Sequence, residues 1–323
     1  MTWLAGMALA TSLTFVEMNC ENLFDCQHDA LKQDTEWVLG GARRWTYKRY
    51  WRKLNNIAQS ILACGEHNQQ WTLPDLVALV EVENDTVLRD LTQRSLLRNA
   101  GYEYVMTQSP DVRGIDVALL YSPFSFQMLH HYSIRPPTMS GHRPTRDILY
   151  AKGIVGQNDT LHIMVVHAPS RYGGANATRP YRKAIAACVL HAADSIRHHD
   201  NNANIVVTGD FNDYANDPAL LMLKQGNLIH ASANAQGVNG AKGTYRYEGL
   251  WNSLDHFFVS LPMQGWIVEC EIFDAPFLTE PDPVYGGRRP RRTYLGYRYK
   301  KGTSDHLPLV LRLNIPTKER DGG

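Results

Sequence analysis

Apolar residues fall in short runs along the chain, at 13–18, 76–82, 116–121, 161–167, 205–208, 254–259 and 307–313. Runs of this length, rich in β-branched and aromatic residues and bounded by polar or turn-forming positions, predict buried strands. Two stretches carry the longer helical spacing instead. Leu54, Ile57, Ala58, Ile61 and Leu62 share one face and stop at Gly65; Ile185, Val189, Ala192 and Ile196 form another, with Pro180 near its start. Helices separate some strands, but others follow one another directly, which predicts an α/β protein with mixed sheets. No internal repeat and no Ser/Gly-rich linker interrupts the pattern, so one domain is expected over 13–315, with a tail at 316–323. The start, residues 1–12, "MTWLAGMALATS", combines a short apolar stretch with small residues but has no preceding Lys or Arg. It reads equally as a signal remnant and as a ragged N-terminus.

Composition narrows the function classes. A 44% hydrophobic content over 323 residues supports a sizeable core, and the net charge is +1. No whole-molecule field therefore draws the chain to nucleic acid or membrane, and recognition has to come from local clusters. The five cysteines form no C-x-x-C pair, which argues against a disulfide framework or zinc knuckle. No apolar run approaches the roughly 20 residues of a membrane span, so a cytoplasmic or an exported (periplasmic or secreted) protein is expected, monomer favoured. Two segments stand out as long cationic aromatic loops. Residues 43–53, "RRWTYKRYWRK", interleave Arg and Lys with Trp45, Tyr47, Tyr50 and Trp51; residues 286–301, "GGRRPRRTYLGYRYKK", do the same with Tyr294, Tyr297 and Tyr299.

The candidate chemistry lies where the apolar runs end. In "VTGDFND" the run from Ile205 closes on Gly209, and Asp210 and Asn212 follow. A lone Asp there reads as a turn or cap residue. Others, however, occupy the same kind of place. Glu81 follows the run in "VALVEVEN", where a carboxylate is costly unless paired or bound to a cation. Asn19 stands in "EMNCENLF", His167 in "HAPSR", Asp255 in "NSLDHFFVS", and Asp305 and His306 in "TSDHLPLVL". Polar groups repeated at strand ends predict one site assembled from many segments. Glu81, Asn19 and Asp305 are hard oxygen ligands suited to Mg²⁺, Mn²⁺ or Ca²⁺ rather than zinc. Histidines in such a site serve phosphoryl chemistry by proton transfer or charge stabilisation. In an extended segment Asp210 and Asn212 would point the same way, toward one phosphate, and Gly209 would leave room for a close approach.

The ordered set "MNCENLF", "VALVEVEN", "RGIDVALLY", "VVHAPSR", "VTGDFND", "SLDHFFVS" and "SDHLPLVL" resembles the endonuclease/exonuclease/phosphatase superfamily, bacterial members above all, from about residue 13 to 313. The resemblance implies the deoxyribonuclease I fold, a four-layer α/β sandwich of two packed mixed sheets flanked by helices. It implies Glu81 as principal metal ligand, with Asn19 and Asp305 completing the shell, and His306 paired with Asp255. Asp210 would orient or deprotonate the attacking water, Asn212 would hold a phosphate oxygen, and His167 would stabilise negative oxygens or assist the leaving group.

Secondary candidates keep two readings each. Asp116 orients His167 or is satisfied by backbone donors. Arg113, Arg171 and Arg179 contact phosphate or are surface charges; Trp251 lines a pocket or packs in the core. Glu83 faces away from Glu81 or caps the helix starting near Asn84. The doublets His130-His131 and His198-His199 read as solvated. The favoured activity is that of a divalent-metal-dependent nuclease, an endonuclease, with the cationic aromatic loops meeting phosphates and stacking on bases. The alternatives are a phosphatase or phosphodiesterase acting on a small soluble phosphoester, an inositol phosphate or a sphingomyelin-type lipid, and a binding module without chemistry. "PFSFQML" at 123–129 is too short and strand-like to support membrane entry strongly.

Overall fold

The computed structural model describes residues 11–139 and 143–316. Most of the expected signal remnant, residues 1–10, and the tail beyond 316 lie outside the described residues. Six strands form one sheet: β1 (Thr11–Leu23), β2 (Leu76–Val82), β3 (Glu103–Met106), β4 (Asp116–Tyr121), and, from later in the chain, β11 (Ile267–Ile272) and β12 (Leu309–Ile315), in the order β11-β12-β1-β2-β4-β3. Six more form the second: β5 (Phe126–Ile134), β6 (Ile148–Val155), β7 (Asp159–His167), β8 (Asn204–Asp210), β9 (Leu228–His230) and β10 (Asp255–Ser260), in the order β9-β10-β8-β7-β6-β5. Each sheet has one parallel pair at its centre, β1/β2 and β7/β8, flanked by antiparallel partners. A parallel pair needs a long crossover, supplied here by helices α1 (Tyr47–Ala63) and α3 (Ala175–His199).

Alternation along the strands creates four layers. On β2, Leu76, Ala78 and Val80 face the other sheet, while Val77, Leu79 and Val82 face α1 and α2 (Asp85–Gln93). On β8, Val206 faces inward, while Ile205 and Val207 pack under α3 and α4 (Pro218–Gln225). The expected mixed-sheet sandwich is therefore the observed one. The segment 43–53 differs from the expected loop: from Tyr47 onward it is α1, capped by the Thr46 side chain, and Trp45, Tyr50 and Lys53 are buried. Trp45 and Tyr50 belong to the core and Trp51 packs against it, while Tyr47 stays exposed. Likewise 286–301 holds short paired strands at Arg288–Pro290, Tyr294–Leu295 and Arg298–Tyr299. Among the described residues, no helix is long and apolar enough to cross a membrane. Both histidine doublets are exposed.

A histidine pair, His256 buried and His230 half-buried, gives the fold an acid sensitivity. His256 Nε2 donates to the Asp213 carbonyl (2.9 Å), so its Nδ1 accepts from His230 Nε2 (3.0 Å). Burial holds His256 down to about 4 and His230 to about 3. The unfolded histidines titrate near 6.5, so this stability is complete above about pH 6.5 and is lost as the pH falls toward 4, at about 1.4 kcal/mol per pH unit for each ring. Urea midpoints are expected to fall over this window, with a shallower slope in His230→Phe; equal slopes in both proteins would rule the pair out as the source.

Candidate active site

The site forms where the two central parallel pairs end. In the second sheet the register sets His167 beside Asp210 and Asp210 beside Asp255. Gly209 makes this alignment feasible. Its φ is 133°, and a Cβ there would sit 1.9 Å from the Val166 carbonyl oxygen of the neighbouring strand. The close approach expected at this glycine is thus made by backbone. Beyond Asp210 the chain is not extended: Asn212 has φ 50° and its N–H donates to Asp210 Oδ1 (2.8 Å). A turn of this kind, rather than two-residue alternation, brings both side chains to one cavity.

In the first sheet, Asn19 pairs with Val80, after which the register slips. Glu81 is an extra residue between Val80 and Val82, which oppose Val117 and Asp116 of β4, and its φ is 63°. Such a bulge re-aims a side chain. It turns Glu81 out of the alternation that would have buried it against the helix layer. Its Oε2 accepts from Asn22 N (2.8 Å), whereas Oε1 lies 3.7 Å from His167 Nε2 and 3.8 Å from Arg113, beyond hydrogen-bond range.

The two sheet ends meet across this gap. His167 Nε2 is also 3.9 Å from Asp210 Oδ2, so Glu81 and Asp210 flank one nitrogen. Asn19 Nδ2 donates to Asp210 Oδ2 (3.1 Å). His306 Nδ1 pairs with Asp255 Oδ2 (2.7 Å), and Asp255, fully buried, also accepts from Thr244 Oγ1 (2.5 Å). Asn19, Glu81, Asp210, Asn212, Asp305 and His306 line one cavity of about 680 Å³, within the range of ligand pockets. His167 and Asp255 lie behind that wall, both buried.

The electrostatics separate the two histidines. Burial, with Arg146 and Arg113 nearby, holds His167 well below its usual value, so it is neutral. Burial alone would do the same to His306, but Asp255, Asp210 and Asp305 outweigh it and hold it protonated. Burial and the Asp255 charge push Asp210 up to about 7. Groups pushed apart in this way divide acid, base and charge-stabilising roles.

The secondary candidates resolve individually. Asp116 accepts from Thr107 Oγ1 (2.6 Å) and Ser109 N (3.0 Å), and His167 Nδ1 has no partner among the described residues, so local donors satisfy the aspartate. Arg113 donates to Asn22 Oδ1 (2.7 Å) at the edge of the site. Arg171 lines the cavity but is held by Asp217 (2.6 Å) and lies over Tyr214. Arg179 stands in α3, outside the cavity wall, and Trp251 packs on the inter-sheet core. Glu83 accepts from Asp25 N (2.7 Å), and the α2 cap is Asn84.

Oxygen donors for a hard cation are present. Glu81 Oε1 is free of hydrogen bonds on the cavity wall and fits a divalent ion, with Asn19 on the same wall; Asn19 Oδ1 accepts from Glu21 N (2.8 Å) and keeps one lone pair for the ion. Asp305 does not fit as well, since Arg292 Nη2 donates to its Oδ2 at 2.6 Å. Atoms of Asp210, Asp255 and His306 also lie within 4.8 Å of one another. Because His306 Nδ1 is engaged by Asp255, that trio is better suited to handling protons and charge.

Sequence reasoning missed Lys53, Glu21 and Arg292. Lys53 is fully buried, and its Nζ donates to Glu21 O (2.9 Å), Thr293 Oγ1 (2.6 Å) and Thr303 O (2.9 Å). The signal was there: Lys53 falls on the same helical face as Tyr50, Leu54 and Ile57.

Residues 14–315 match the endonuclease/exonuclease/phosphatase family. Among similar solved structures, a family protein of that description from Bacteroides thetaiotaomicron superposes with TM-score 0.61 at 15% identity, covering 96% of this chain and 100% of that one. The mannosyl-6-phosphatase of the same organism gives 0.59 at 16%, covering 93% and 99%. The human Nocturnin catalytic domain with bound sulfate gives 0.57 at 18%, covering 94% and 95%. At these identities the likeness is one of fold. No curated protein matches the sequence. The family match runs through both sheets and every strand end that builds the cavity, and the chain accordingly belongs to the endonuclease/exonuclease/phosphatase family, hydrolases of phosphoester bonds.

Proposed function

We propose that the chain is a divalent-metal-dependent nuclease that cuts phosphodiester bonds internally by in-line attack of water. The observation that carries the substrate class is the merging of the two cationic aromatic segments beside the cavity. Arg43 lies 4.6 Å over Trp37 and 5.3 Å over both Tyr294 and Tyr297, and Arg49 lies 4.4 Å over Tyr299. Arg43, Tyr294 and Gly296 belong to the cavity wall. Exposed Arg44, Lys48, Arg291 and Arg298 belong to the same two segments and give this side of the cavity a local basic surface on a chain of net charge +1. The stacking expected of their aromatics is reduced, because Trp45, Tyr50 and Tyr294 are buried; Tyr47 and Tyr297 remain exposed.

In this reading Asp210 takes the proton of the attacking water, and Asn212 holds a phosphate oxygen. The His306 imidazolium, fixed by Asp255, stabilises the charge developing on the phosphate. Neutral His167 donates a hydrogen bond from the Glu81 side. A bound Mg²⁺ or Mn²⁺, on Glu81 and Asn19, would supply charge neutralisation at the phosphate oxygens and activation of water. Positioning and charge suffice for this chemistry, and no side-chain nucleophile takes part. A second reading, hydrolysis of a small phosphoester, is favoured by the bounded cavity.

The test incubates the protein with Mg²⁺ or Mn²⁺ and, in parallel, supercoiled plasmid, single-stranded oligonucleotides, RNA, bis-p-nitrophenyl phosphate, sugar and inositol phosphates, and sphingomyelin. Plasmid nicking that disappears with chelator is expected, with Asp210→Asn slower by about 10²- to 10⁴-fold. Turnover confined to sugar or inositol phosphates would replace the nuclease by the second reading.

A further inference from the structure

Asp305 and its surroundings carry a consequence for the metal count and for phosphate binding. Arg292 Nη2 donates to Asp305 Oδ2 at 2.6 Å, and its Nε lies 3.6 Å from Glu21 Oε1. Glu21 is itself anchored: its Oε2 accepts from Thr293 N (2.6 Å), its backbone carbonyl accepts from buried Lys53, and the Lys53 ammonium is 3.9 Å from its carboxylate. Two cations thus face two carboxylates, leaving no surplus negative charge to hold a divalent ion at Asp305, where two positive groups would repel it. Glu81 is different, because its Oε1 has no hydrogen bond and its nearest cation is the exposed Arg113, 3.8 Å away. Arg292 lines the cavity with Asp305 and His306, and its Nη1 has no protein partner among the described residues. A guanidinium held along one side by carboxylates and open at the other is shaped to grip a phosphate oxygen.

We propose that Arg292, not a second metal ion, neutralises Asp305 and supplies the cationic contact to the substrate phosphate on that side of the cavity, so that one divalent ion binds, on the Glu81 side. This assignment rests on the phosphoesterase reading above and names a phosphate-binding residue for it.

The test uses the full chain and two readouts that need no turnover. Mn²⁺ alone is titrated and free Mn²⁺ followed by electron paramagnetic resonance; inorganic phosphate is then titrated calorimetrically into the Mn²⁺-loaded protein. Wild type is expected to bind one Mn²⁺, Asp305→Asn to stay within about threefold of its affinity, and Glu81→Gln to lose about 30-fold or more. Arg292→Met frees Asp305 and is expected to admit a second Mn²⁺, while phosphate affinity falls by about 10-fold or more; Arg292→Lys restores part of it. Circular dichroism verifies that each variant is folded. Two ions in wild type, an Asp305→Asn loss equal to that of Glu81→Gln, or unchanged phosphate affinity in Arg292→Met would overturn the proposal. The expected binding pattern without hydrolysis of any phosphoester would instead overturn the phosphoesterase reading and leave Arg292 as a phosphate-binding residue.

Discussion

Replacing His306 with glutamine is expected to lower kcat/KM for bis-p-nitrophenyl phosphate by about 10³-fold while the chain still folds. Asp255 is fully buried and accepts from both His306 Nδ1 and Thr244 Oγ1. Alanine would leave that carboxylate short of a donor in a dry layer, and an orphaned buried charge costs several kcal/mol. Glutamine keeps an N–H for Asp255 but cannot carry the positive charge that Asp255, Asp210 and Asp305 sustain on the imidazole. The comparison therefore isolates charge from packing. Steady-state kinetics at constant metal, with near-ultraviolet circular dichroism to verify packing, makes the measurement. A loss smaller than about tenfold would remove His306 from the reacting machinery.

Lys53→Met is expected to produce the largest stability loss, about 3–5 kcal/mol. Methionine matches the stem of the lysine but leaves the Glu21 and Thr303 carbonyls and the Thr293 hydroxyl without their donor, and leaves the buried Glu21 carboxylate without its nearby ammonium. Desolvation lowers the Lys53 pKa, and only the surrounding acids, Glu21 first, offset it. The double variant Lys53→Met/Glu21→Gln should recover part of the loss, since the carboxylate then held only by Arg292 and Thr293 N goes with it. Urea unfolding of the four proteins in the cycle measures both quantities. If Lys53→Met costs less than about 1 kcal/mol, the ammonium is not the keystone that its contacts suggest.

The seven apolar runs all became strands, because interior strands are covered on both faces and must be apolar almost throughout. The strands that escaped notice are mostly peripheral: β3, β5, β9 and β11 are sheet edges. β5, "FQMLHHYSI", buries Phe126 and leaves both His130 and His131 exposed. Its start, within "PFSFQML", reads as strand-like, but the rest carries too weak a hydrophobic pattern to extend the strand to Ile134. The cationic segment 43–53 failed in the opposite way. Its charges read as phosphate contacts on a loop, yet Lys53 turns inward, because the helical period and a set of acceptors far along the chain decide its fate.

Local order along the chain was enough to predict every interior strand but β6, the mixing of strands with helices, and polar residues at the strand ends, Asn19, Glu81, His167, Asp210, Asp255 and His306 among them. A polar group abutting an apolar run is a short-range fact. The tertiary structure alone decided which groups pair: that Thr107 and Ser109 satisfy Asp116, that a bulge aims Glu81 into the cavity, and that Arg292 occupies Asp305. Ion-pair and hydrogen-bond partners are chosen by distance in space, and Lys53 and Thr293, 240 residues apart, leave no trace of each other in the order of the residues.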